Sequence, residues 1–145
     1  MTDVLQLQFH PEPDGDMENV WFAYSLAYAL VEGAAEILEV PSSDLSAMVA
    51  HIAQCPLPPL ILYDNVPGGA GLVARLEEGE VLRACLEAAH ARVRGNHGCD
   101  ESTSCYGCLR SYRNQFAHQY LQRGPVMRYL DALLSHWQPG AVRQR

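Results

Sequence analysis

A chain of 145 residues, 48% of them hydrophobic, is long enough to bury a core and short enough to form one domain. No apolar run approaches the ~18 residues of a membrane span, and no basic segment followed by an apolar one opens the chain, so a membrane or secreted protein is not expected. The net charge of −7 excludes a uniformly basic nucleic-acid binder, yet it is unevenly placed: all ten basic side chains are arginines, and residues 102–145 hold six of them against the lone acid Asp131.

In chain order, Asp3 to Phe9 alternates as a strand does (Val4, Leu5, Leu7, Phe9) and ends at the turn cluster His10-Pro11-Glu12-Pro13-Asp14-Gly15. Residues 19–39 read as a long helix. Trp21, Tyr24, Tyr28, Val31, Ala35 and Leu38 form one stripe, and Leu26, Leu30, Ala34 and Ile37 an adjacent one, so most of the circumference is apolar and the helix is central. Its polar seam is Ser25, Glu32, Glu36 and Glu39. Pro41-Ser42-Ser43-Asp44 ends the helix and caps a short turn, and Ala47 to Ala53 fits a strand or a brief helix. Pro59 to Tyr63, an apolar run between a proline and a glycine loop, reads as a buried strand. Helical patterns follow at about 71–78 and 80–93, another is expected from near Cys105 toward Gln115, and Gly124-Pro125 opens a last helix with Val126, Tyr129, Leu130, Leu133 and Leu134 on one face. The expected fold is α+β, a small sheet built from the 3–9 and 59–63 strands and flanked by the central helix. A single domain over 1–138 carries the cysteine loop 97–108, and 139–145 is a tail.

Between the 80–93 helix and the basic third lies the most specific feature of the chain. His97, Cys99, Cys105 and Cys108 form H-x-C-x5-C-x2-C within twelve residues. Thiolates plus an imidazole at short spacing are the ligand set that closes a tetrahedral zinc site. The C-x2-C half lets two sulfurs reach one ion across a tight turn, which Gly107 leaves free to bend. An odd total of five cysteines, three of them clustered, argues against a disulfide scaffold and for a reducing cytoplasm. The fourth ligand is the open position: His97 is nearest, while Cys85, Cys55 and His118 are alternatives. His118 also suits a role behind the ligands. A redox C-x-x-C pair is disfavoured, since it would not need Cys99 and His97 upstream.

Other candidates are weaker. The strand, glycine loop and helix at 59–77 invite a phosphate-binding reading, but the loop lacks both a Gly-Lys-Ser/Thr ending and G-x-G-x-x-G spacing. Asp64 at the end of an apolar strand, with Glu32 or Glu36, allows a metal-dependent hydrolase or nuclease, against the plainer reading of a loop-capping carboxylate and solvated glutamates. Ser102 to Ser104 form no nucleophile elbow. Tyr106, Tyr112, Phe116 and Tyr120 interleave with Arg110, Arg113 and Arg123, which suits single-stranded nucleic acid. The favoured alternative has the aromatics covering the metal loop and the arginines pairing with the acidic two thirds.

Three segments together resemble a known family: Ser25-Leu26-Ala27-Tyr28-Ala29-Leu30, then Leu62-Tyr63-Asp64-Asn65-Val66-Pro67-Gly68-Gly69-Ala70-Gly71, then Ser104-Cys105-Tyr106-Gly107-Cys108-Leu109-Arg110-Ser111-Tyr112-Arg113-Asn114-Gln115. In that order they resemble the MrfA-type zinc-binding domain found at the C-terminus of bacterial DEAD/DEAH-box helicases. Leu121-Gln122-Arg123-Gly124 fits as well. The family pattern commonly carries C-x-C followed by C-x2-C, and here His97 stands at the first position. The resemblance implies a Zn2+ site and a non-catalytic module serving an ATP-driven DNA translocase in repair or phage defence, with helicase domains in the same or a partner chain as partners and DNA as a further one. The chain has no Walker motif and no DEAD/DEAH box, so it is expected to be either an excised C-terminal domain or a standalone subunit.

Overall fold

A computed structural model describes residues 4–7, 19–49, 59–64, 71–76, 78–94, 99–100, 103–105, 108–110 and 112–135. The suggested tail 139–145, the glycine loop 65–70 and His97 lie outside them. Three short strands rich in leucine, β1 (Val4–Leu7), β2 (Leu45–Val49) and β3 (Leu60–Asp64), form an antiparallel sheet in the order β1-β3-β2. The register sets Leu5 opposite Leu62, Leu7 opposite Leu60, and Leu60 opposite Val49, so that one face buries leucines and Val49 in cross-strand rows. The segment that fits either strand or helix at 47–53 thus enters the sheet as β2, two residues earlier than expected.

Helix α1 (Asn19–Leu38) lies against this sheet. Phe22, Ala23, Leu26, Ala27, Ala29, Leu30, Ala34 and Leu38 are buried around nearly its whole girth, as the double stripe predicts. Ser25, on the polar seam, does not face solvent. It is fully buried, and its Oγ accepts the Gln122 amide at 3.2 Å, so the hydroxyl satisfies a backbone donor 97 residues away. On the other side of α1, helices α3 (Gly79–Val93) and α4 (Arg123–Ser135) pack against it and each other, and the short α2 (Leu72–Arg75) joins β3 to α3. The close approach of α1 to α3 depends on Gly33, where a Cβ would meet the Cys85 carbonyl oxygen at 2.6 Å and the Ala89 nitrogen at 2.8 Å.

The end of α1 is a Schellman turn: the Val40 amide bonds to the Ala35 carbonyl and the Glu39 amide to the Glu36 carbonyl, with Glu39 at φ 59°. That left-handed position favours glycine, and a Cβ there costs about 1 kcal/mol. Glu39→Gly is therefore expected to raise stability by roughly 0.5–1 kcal/mol, read as a melting temperature about 1–4 °C higher. A lower melting temperature would show that the glutamate side chain outweighs its backbone strain.

The expectation of a helix from Cys105 toward Gln115 is corrected. The chain turns tightly after Cys105, and the amides of Cys108, Leu109 and Arg110 all converge on the Cys105 carbonyl, at 3.1, 3.1 and 2.9 Å. A 3-10 stretch then runs Tyr112–Tyr120, kinked at Asn114. The reason is local: the Asn114 side chain is buried and donates to the Leu109 carbonyl at 2.8 Å, a bond that ties the 3-10 stretch back to the turn.

Candidate metal centre

The turn that begins at Cys105 and the segment leaving α3 bring three sulfurs together. Cys99 Sγ and Cys105 Sγ each lie 3.8 Å from Cys108 Sγ, and all three fall within 4.8 Å of one another. Ligands ~2.3 Å from a tetrahedral zinc sit roughly 3.8 Å apart, so two edges of the triangle already have the dimension of a zinc–thiolate tetrahedron. These distances are far from a disulfide bond, and none of the three cysteines is in one.

The electrostatics agree. Burial pushes the Cys108 thiol up to about 12; the Cys105 amide, donating to its sulfur at 3.2 Å, works against this, and the neighbouring cysteines add to the rise. Three thiolates cannot share such a site without a cation, whereas a divalent ion deprotonates coordinating thiols outright. The donor set fits zinc.

A polar scaffold holds the ligand backbone. Arg92 on α3 donates from Nε to the Cys108 carbonyl at 3.2 Å, and its Nη2 faces Glu32 of α1 at 3.8 Å. Arg123 at the start of α4 donates from Nη1 to the Val93 carbonyl at 3.1 Å and from Nη2 to the Cys99 carbonyl at 2.9 Å. Arg110 donates to Ser104 Oγ at 2.9 Å and to the His118 carbonyl at 3.3 Å. Asn114 Oδ1 accepts from His118 Nε2 at 2.8 Å.

Each sequence candidate now has a place. Cys99, Cys105 and Cys108 converge. His97 and Cys55 lie outside the described residues. Cys85 and His118 do not join the sulfur cluster: Cys85 is buried in α3, where burial raises its thiol to about 11, and His118 serves Asn114, one bond removed from the turn. Arg123, expected as a nucleic-acid contact, is only 8% exposed and spent on loop carbonyls, because the orphan carbonyl at the end of α3 and the Cys99 carbonyl both need a donor. Arg110 is half-buried, and the side chain of Arg113 lies outside the described set. Phe116 and Tyr120 meet aromatic rings of α1. Phe116 meets Tyr24 edge-on and Tyr120 stacks on Trp21 with centroids 4.2 Å apart. Of the carboxylates, Asp64 is buried at the end of β3, Glu32 faces Arg92 and Glu36 is exposed; among the described residues they form no second metal-type cluster.

With this geometry in view, the chain matches the family model of the MrfA Zn-binding domain over residues 26–109, more than half its length. The chain belongs to that family. Zinc is accordingly its cofactor, in agreement with the three-cysteine cluster. Among solved structures, the chain is similar to the DUF1998 helicase MrfA in its crystal structure bound to DNA, with 18% identity and a TM-score of 0.58 over 88% of this chain. It spans 16% of that helicase's length, and at this identity the likeness is one of fold. No curated protein sequence matches the chain. Sequence reasoning missed Arg92 altogether. Its only sequence signal was an arginine in the last turn of a helix leading into the cysteines.

Proposed function

We propose that this domain is a non-catalytic, zinc-stabilised module that docks on helicase domains and helps hold DNA while they translocate, in repair or phage defence. The observation that carries it is the cysteine triangle tied by arginines to α3 and α4, in a domain whose family is a zinc-binding part of MrfA. Support for the helicase setting is the fold shared with a segment of a DNA-bound helicase. Cys99, Cys105 and Cys108 supply three ligands and His97 the fourth. His97 lies two residues from Cys99, so their Cα atoms are within ~7 Å of each other at full extension, close enough for both side chains to reach one ion. Zinc here supplies no chemistry on a substrate. It fixes the turn that Arg110 braces, beside a 3-10 stretch whose exposed Phe116 and Tyr120 offer rings for bases to stack on.

Fluorescence anisotropy with a labelled single strand and a duplex tests this. The zinc-loaded chain should bind with a Kd of about 1–100 μM, weakening steeply with salt, and binding should vanish on chelation. Absence of binding at any salt would remove the DNA-holding role. Magnesium- or manganese-dependent cleavage of the DNA, lost in Asp64→Ala, would overturn the non-catalytic reading.

A further inference from the structure

Among the described residues, Arg123 is a buried cation that no carboxylate pairs with. The residue is 8% exposed, Nη1 and Nη2 go to the carbonyls of Val93 and Cys99, and among the described residues Nε has no hydrogen-bond partner. Its own amide donates to the Thr103 carbonyl at 3.0 Å, so the residue is held at both ends to the segment between Cys99 and Cys105. Taking an unpaired guanidinium out of water costs several kcal/mol, and two carbonyls offset only part of that. One of them, Val93, closes α3, where the helix dipole is negative, which helps by a fraction. The sulfur cluster is a further source of negative charge. Three thiolates and a neutral imidazole around a divalent ion carry a net negative charge, and one of those ligand residues is the residue that Arg123 grips.

We propose that Arg123 is a positioning residue of the metal centre, its buried guanidinium balancing the zinc–thiolate charge while fixing the Cys99 backbone, with Arg92 acting in the same way on Cys108. The inference rests on the reading that the cysteine triangle and His97 hold zinc. Arg92 is the weaker member, because its side chain is 27% exposed and shares its charge with Glu32 at 3.8 Å. The two guanidiniums approach from different helices, α4 and α3, so the metal site is linked to both. A purely mechanical staple between α4 and the loop would behave differently: its removal would weaken the fold to the same extent with and without zinc.

The test compares the full chain with Arg123→Met, Arg123→Lys and Arg92→Met, measuring the zinc dissociation constant by chelator competition and the melting temperature with and without zinc. Methionine keeps much of the aliphatic volume and removes the charge. Arg123→Met should weaken zinc binding by ~10- to 100-fold, with lysine recovering part of the loss. The gap in melting temperature between loaded and stripped protein should narrow, as linkage requires. Zinc affinity unchanged from the parent chain, with both melting temperatures falling together, would overturn the proposal and leave the ligand assignment intact. Should Arg123→Met not fold, Arg92→Met carries the same prediction at roughly threefold to tenfold, and unchanged affinity there overturns it. A parent chain that takes up no zinc would remove the ligand assignment, and this inference with it.

Discussion

Cys108→Ala purifies without zinc and melts more than ~10 °C below the parent chain. Cys108 is fully buried and is the sulfur to which both others are bridged at 3.8 Å, so its loss removes the vertex that the other two share. Structural zinc contributes its binding free energy directly to folding, and for a chain of this length each kcal/mol corresponds to about 2–4 °C. The damage should be local in origin. Arg92 would lose a fixed Cys108 carbonyl, Asn114 a fixed Leu109 carbonyl, and the 3-10 stretch 112–120 its attachment, while the sheet and α1 keep their own core. Cys85→Ala is the contrasting variant, because Cys85 sits in α3 outside the sulfur cluster and should keep its zinc. Elemental analysis and a thermal melt of both variants check this. A Cys108→Ala chain that retains zinc, or one that is metal-free yet melts with the parent, would contradict the role assigned to the site.

Gly33→Ala is expected to destabilise the domain by about 3 kcal/mol or more, at the upper end of overpacking effects, because the clash is with backbone. The added Cβ would meet the Cys85 oxygen at 2.6 Å and the Ala89 nitrogen at 2.8 Å, so α1 and α3 must separate and reopen the packing around Leu30, Leu86 and Ala89. Elsewhere in a helix the same exchange is favourable by up to ~1 kcal/mol. Gly79 provides the control: nothing lies within 4 Å of the position a methyl group would take there, so Gly79→Ala should be neutral or slightly stabilising. Denaturant melts of the pair should differ by several kcal/mol. Equal stabilities would mean that the two helices do not approach as closely as Gly33 allows.

Much of this was legible in the chain. The double apolar stripe from Trp21 to Leu38 called for a helix buried on most sides, and α1 is one. The run from Leu60 to Tyr63 became the middle strand, and its burial alternates, Leu60 and Leu62 inward and Ile61 and Tyr63 half-exposed, although its sequence reads as continuous. The spacing of Cys99, Cys105 and Cys108 announced a metal site because no packing argument asks for three thiols in ten residues. What could not be read were partnerships across long separations. Ser25 fell on a polar seam by helical geometry, and only the return of the chain at Gln122 turns it into a buried acceptor. Arg123 looked like a phosphate contact because local composition says nothing about a helix end 30 residues upstream whose carbonyl needs a donor. Asn114 sat inside an apparent helix until its side chain took the Leu109 carbonyl and bent the backbone. Gly33, an isolated glycine in a helical pattern, was a signal of close approach that went unread.

The most direct test of the metal centre is X-ray absorption at the zinc edge on the chain purified without added metal. A site closed by three cysteines and His97 predicts about one zinc per chain with three sulfurs at ~2.3 Å and one nitrogen at ~2.0–2.1 Å. A shell with fewer than three sulfurs, or folded protein that carries no zinc, would contradict it.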